Sequence, residues 1–154
     1  MSVEHVTDLA LVTGLYRTTN AAVRELDQRL GREHDITFIQ AVTLLAIQSF
    51  DRPQPHLVAD YLSQQSQTVT GVLDRLERAG HIVRQRDLGD RRAVRLELTD
   101  SGRQLVDSVS ESLREHVVDV LKGVDPKRRQ NLRKDLGHLE SSIKAATPAR
   151  AAGS

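Results

Sequence analysis

Leu9, Val12, Tyr16, Thr19, Val23, Leu26 and Leu30 recur at alternating steps of three and four, which puts them on one stripe of a helix covering the first thirty residues. Arg17, Asn20, Arg24 and Asp27 fall between them. A helix packed on its own domain shows a similar stripe, but one so narrow on so long a helix suits a partner helix. A break is expected at Gly31–Asp35. Thr37, Phe38, Ile39 and Gln40 then read as a capping box opening a helix through Ala41, Leu44, Leu45 and Ile47 to about Ser49. Asp51 to Pro55 stops it, since neither proline supplies a helix amide. A short helix from His56 to about Leu62 follows, then a polar turn at Ser63–Gln65. The next helix runs from Ser66 to Ala79 and ends on Gly80 as its C′ residue.

The period then changes. Val94, Leu96 and Leu98 alternate with Arg95 and Glu97, the two-residue repeat of a half-buried strand, and Ile82–Arg86 makes a second such run. With the charged loop Asp87–Arg92 between them they form a β-hairpin. Thr99 caps another helix with Leu105, Val109, Leu113, Val117 and Val120 apolar, ending at Gly123. Asp125 as N-cap and Pro126 at N1 start the last one, through Leu132, Leu136, Leu139 and Ile143. Two short helices joined by a tight turn, followed at once by a hairpin, make a winged helix-turn-helix. The expected fold is mainly α with a small β-hairpin wing, flanked by N- and C-terminal dimerisation helices. Residues 1–34 are the first of these, 36–99 the DNA-binding domain, 100–146 the C-terminal dimerisation helices, and 147–154 a disordered tail.

Composition removes other classes. The 154 residues are 38% hydrophobic and 28% charged but only 3% aromatic, so the core is aliphatic. The absence of Cys excludes disulfides, a thiol redox sensor and Cys-based metal sites. Ala41–Ile47, the longest apolar stretch, is too short to span a membrane, and MSVEHVTD lacks the layout of a signal peptide. With 22 basic and 21 acidic residues the net charge is +1, which by itself speaks against a nucleic-acid binder.

The distribution of charge answers that objection. On the Ser66–Ala79 helix, Val69, Val72, Leu73 and Leu76 fall within a sector of roughly 100°. Gln67, Gly71, Asp74 and Arg78 cluster opposite, flanked by Thr70 and Arg75. Polar residues at the N-terminal end of such a face can read base edges. Gly71 costs the helix about 1 kcal/mol against Ala, which close approach to DNA would explain. Between Arg84 and Arg95, five arginines (84, 86, 91, 92 and 95) stand against Asp87 and Asp90, a local +3. Arginine suits phosphates and a narrow minor groove, and an aspartate beside a tip arginine can orient its guanidinium. Glu4, Asp8, Glu111, Glu115 and Asp119 put the compensating acid on the outer helices.

Leu57-Val58-Ala59-Asp60-Tyr61-Leu62, Thr68 to Gly80, Asp90-Arg91-Arg92-Ala93 and Leu98-Thr99-Asp100-Ser101-Gly102 together resemble the MarR family of bacterial transcriptional regulators. The motifs cover about residues 57–102. The resemblance implies a cytoplasmic regulator, commonly a repressor, that binds palindromic double-stranded operator DNA as a homodimer. Carried over residue by residue, it makes Ser66, Gln67, Thr68, Thr70, Arg75, Arg86, Asp90, Arg91 and Arg92 the DNA-contacting set. Arg92 would enter the minor groove and Asp90 would hold the wing in shape. Many members carry a basic residue where this chain has Gly71, which bears on the operator sequence. Many also release DNA when a small, often aromatic, effector binds between the dimer arm and the DNA-binding lobe. Tyr16, His34, Phe38 and Phe50 are the candidates for that crevice.

No cofactor and no metal site are expected. The six histidines form no HxxxH pair, and only His116 with Glu111, Glu115 or Asp119 offers even a weak cluster. No nucleophile elbow, phosphate-cradling glycine loop or paired-carboxylate arrangement suggests an enzyme. Two alternatives stay open beside the regulator. One is a helical protein-interaction module whose winged helix no longer binds DNA; the other is an architectural DNA coat with little sequence preference.

Overall fold

The computed structural model describes residues 3–147 and contains six helices and one hairpin: α1 (Val3–His34), α2 (Phe38–Ser49), α3 (Pro55–Tyr61), α4 (Ser66–Arg78), β1 (Ile82–Arg86), β2 (Val94–Leu98), α5 (Asp100–Val120) and α6 (Pro126–Ala146). Its contacts divide it into two compact units, residues 1–117 and 118–154. The tail expected at 147–154 lies, beyond Thr147, outside the described residues.

In the first unit, α1 runs through Gly31 and stops only where Asp35 turns to φ 55°. The expected break at Gly31 is therefore corrected. Leu30 is buried at this end, and packing it keeps the last turn helical. The capping box of α2 forms as expected: Thr37 Oγ1 accepts the Gln40 amide and Gln40 Oε1 accepts the Thr37 amide. Asp27 of α1 also accepts the Phe38 amide at 2.6 Å, so α1 fixes where α2 begins. The reading of Pro55 as a stop needs revision. It occupies the first turn of α3, where a missing amide costs nothing.

Leu44, Ile47, Val58, Val69, Val72, Leu73, Leu76, Ile82, Leu96 and Val106 form the main core, bringing α2, α3, α4, the hairpin and α5 together. Leu30, Ile36, Ala41 and Val109 form a second cluster, with Phe38 and Leu113 against it. The hairpin is antiparallel, in register from Ile82 opposite Leu98 to Arg86 opposite Val94. On its outer edge the Leu96 amide donates to the Pro53 carbonyl at 2.8 Å. Of the strand face expected to be buried, Leu96 is buried and Leu98 half-buried, while Val94 is exposed because the hairpin has by then left the core.

A polar clasp joins α1 to α5. His116, only 9% exposed, meets Glu33 Oε2 through Nε2 at 3.0 Å and Arg29 through Nδ1 at 3.3 Å. His34 bonds Ser112 at 2.7 Å. Both printed partners of the His116 ring thus come from α1, and no metal-ligating cluster is present among the described residues. The His116 hydrogen bond, helped by Ser112, holds the Glu33 carboxyl below its ordinary value. Its stabilising effect is complete above the unfolded-chain value of about 4.3 and is lost as pH falls through the lower folded-state value. Glu33→Gln should therefore flatten the acid limb of a Tm-against-pH curve, slightly because Glu33 is well exposed. An acid limb as steep as wild type would contradict this role.

In the second unit, α6 starts as expected, with Asp125 accepting the Arg128 amide and Pro126 in the first turn. α5 ends at Val120, short of the expected Gly123. The Arg129 guanidinium donates to the Leu121 and Val124 carbonyls at 2.7 and 2.6 Å and closes the turn that follows. α6 buries none of its residues. No helix among the described residues is long and apolar enough to cross a membrane.

Candidate nucleic-acid interface

α4 buries Val69, Val72, Leu73 and Leu76, the face expected from their spacing, and leaves Ser66, Gln67, Thr68, Thr70, Asp74, Arg75 and Arg78 exposed. Its N-cap, Gln65, makes no side-chain hydrogen bond to the first turn. The amides of Ser66, Gln67 and Thr68 thus open the helix without a side-chain acceptor, an arrangement suited to an anion. Thr70 Oγ1 donates back to the Ser66 carbonyl at 2.8 Å. A Cβ built on Gly71 would meet only the Arg75 guanidinium, at 3.9 Å. Nothing inside the fold requires glycine there.

The turn between α3 and α4 is tight enough to drive Ser63 to φ 51°. At the other end of α4, Gly80 takes φ 81°, as a C′ glycine does. The chain then passes directly into β1, so α4 and the hairpin share one short connection.

The wing's arginines divide into two groups that sequence could not separate. Arg84 reaches back to α4, donating to Asp74 Oδ1 at 2.7 Å and to Glu77 Oε2, while its own amide donates to Glu77 Oε1. Partial burial opposes the charge, but the two carboxylates hold Arg84 protonated above its ordinary value. Arg95 faces Glu97 at 3.7 Å. Arg84 therefore braces the wing against α4. Arg86, Arg91 and Arg92 are exposed and form no ion pair among the described residues.

The aspartates of the loop bind backbone. Asp87 Oδ1 accepts the Gly89 amide at 2.8 Å, and Asp90 Oδ1 accepts the Arg92 amide at 2.9 Å. The Ala93 amide closes a turn onto the Asp90 carbonyl, and the Asp87 amide onto the Ala93 carbonyl. The Gly89 amide, aided by the positive field of Arg52, holds the Asp87 carboxyl below its usual range. Asp90 does shape the loop, but through the Arg92 backbone. In place of the expected grip on a guanidinium, Asp90 fixes the Arg92 backbone, and the Arg92 side chain forms no ion pair among the described residues.

The expected effector residues do not converge. Tyr16 is 69% exposed on α1. Phe38 packs on the second cluster, near the α1–α5 clasp that holds His34. Phe50 packs on the main core, edge-to-face with Tyr61 at 5.7 Å. A cleft of about 340 Å³ beside β2 includes Phe50, Pro53, Arg95, Leu96 and Arg103 but none of the other three candidates.

Residues 34–93 match the sequence profile of the MarR family. The chain is 36% identical over 89 residues to the HTH-type transcriptional regulator PecS of Dickeya dadantii, an alignment covering 58% of this chain and 54% of PecS. It thus spans about half the length of that relative. Among solved structures it is similar to the transcriptional regulator BldR from Sulfolobus solfataricus, with a TM-score of 0.82, 25% identity and coverage of 92% of this chain and 99% of BldR. It is also similar to S. aureus MepR, solved as a DNA complex, with a TM-score of 0.77, 26% identity and coverage of 86% and 97%. Winged helix, α4 face and hairpin agree with these matches, and residues 34–93 form a winged helix similar to those of the MarR family.

Proposed function

We propose that the protein is a sequence-specific double-stranded DNA-binding regulator of transcription that acts as a homodimer on a palindromic operator. One conjunction carries this reading. A helix with an uncapped N-terminus and a polar outer face stands beside a hairpin that presents the Arg86, Arg91 and Arg92 side chains with no ion pair among the described residues. A module that had lost DNA binding has no use for either. Ser66, Gln67, Thr68, Thr70 and Arg75 enter the major groove, Arg86, Arg91 and Arg92 meet phosphates and the adjacent minor groove, and Asp90 sets the loop. MepR, named above as a DNA complex, supports the same use of the fold.

Dimerisation rests on the two terminal helices. Leu9, Val12 and Tyr16 on α1, and Leu132, Leu136 and Ile143 on α6, are all exposed. Apolar stripes on unpartnered helices are covered in a second copy of the chain. Release by a small effector remains part of the proposal, through a site that includes Phe38 and His34 more readily than Phe50. Leu132→Arg together with Leu136→Arg should halve the mass measured by sedimentation and abolish tight binding to a palindromic duplex. A monomeric wild type, or a double variant that stays dimeric, would refute the α6 interface.

A further inference from the structure

Leu88 is fully solvent-exposed at 104%, while the other exposed large hydrophobics lie between 37% and 69%. A single exposed leucine ordinarily means little. Here, however, its position is built. Asp87 Oδ1 binds the Gly89 amide across it, so Leu88 is the central residue of a side-chain-closed turn and projects from the loop. The four-residue turn from Asp90 to Ala93 closes the other side of the loop. Around it stand Arg86, Arg91 and Arg92, none engaged in an ion pair among the described residues. Both loop carboxylates are occupied by backbone amides.

A surface that combines three unpaired cations with one projecting aliphatic side chain matches a DNA minor groove. Its rims are phosphates and its walls are the C–H faces of deoxyribose, and apolar side chains are known to enter it. We infer that Leu88 is a DNA-contacting residue, inserted by the wing into the minor groove against the sugar walls between the arginines. This rests on the wing reading proposed above and adds to it a component of affinity that releases no counterions.

The test measures binding of the full-length protein to a duplex taken from immediately upstream of its own gene, across a series of salt concentrations. Leu88→Ser should weaken binding by roughly tenfold at every salt, the effect of leaving about half a leucine unburied. The slope of log affinity against log salt should not change. Leu88→Met should restore most of the loss. Arg92→Ala should both weaken binding and reduce the slope by about 1. A Leu88→Ser variant that binds like wild type while Arg92→Ala is impaired overturns the inference and leaves the wing reading standing. If neither variant differs from wild type, the wing reading falls and the inference with it. Thermal melts that coincide for all variants exclude a folding effect, as expected for a side chain touching nothing.

Discussion

Arg92→Ala is expected to weaken binding to operator DNA by about 10- to 100-fold, the range for loss of one well-placed arginine contact. The geometry makes the expectation sharp. The Arg92 amide is held by Asp90, and the Ala93 amide closes the same turn, so the backbone is set before DNA arrives. The guanidinium gives up no internal ion pair on binding. Substitution therefore removes an interface contact and nothing from the fold. The residue lies in neither α1 nor α6, so the dimer should sediment unchanged. Arg84→Ala would be a poorer probe, since it also cuts the ties to Asp74 and Glu77. Mobility shifts with equal dimer concentrations check the result, and wild-type affinity in Arg92→Ala would remove this residue from the interface.

Gly102→Ala should cost the protein about 2 kcal/mol and lower Tm by roughly 4–8 °C. An added Cβ would sit 2.0 Å from the His81 carbonyl oxygen and 3.0 Å from its carbon. That neighbour is backbone and cannot rotate away. It is also tied in place: the Thr99 amide donates to the His81 carbonyl, Thr99 Oγ1 donates to the Gly80 carbonyl, and the Gly102 amide donates to Thr99 Oγ1. His81 Nδ1 and Ser101 Oγ lie 2.9 Å apart across the same junction. The gain in helix propensity, about 1 kcal/mol, is too small to offset the displacement. Because His81 follows the Gly80 that ends α4, the displacement reaches the recognition helix and should lower DNA affinity as well. Gly71→Ala is the control. With only the mobile Arg75 guanidinium in ordinary contact at that position, it should raise stability by about 0.5–1 kcal/mol. Denaturant melts of the two variants decide the matter, and an unchanged Gly102→Ala midpoint would show that the junction yields.

The parts of this fold that local chemistry determines were legible in the residues. Thr37 with Gln40, and Asp125 with Pro126, start helices by contacts within one turn. Val69, Val72, Leu73 and Leu76 face the core because the α-helical repeat places them there. What could not be read depends on residues distant in the chain. Gly31 looked like a breaker, yet burial of neighbouring Leu30 outweighs the small penalty of one glycine. Arg84 counted as wing charge until Asp74 and Glu77 on α4 took it. Sequence proximity sets His116 beside Glu111, Glu115 and Asp119 on its own helix, whereas its partners Glu33 and Arg29 come from α1. Gly102 stood out in the Leu98–Gly102 motif, but only the approach of His81 explains it. Net charge misled for the same reason: a total of +1 is silent on which arginines are already neutralised.

The central claim is a homodimer that recognises one duplex sequence through α4 and the wing. Its most direct measurement is a binding titration at fixed salt, with stoichiometry, against a palindromic duplex from the gene's own upstream region and a random duplex of equal length. Saturation at two chains per duplex, with affinity at least about a thousandfold above the random sequence, is the predicted result. Equal affinity for both duplexes, or saturation by a single chain, would contradict it.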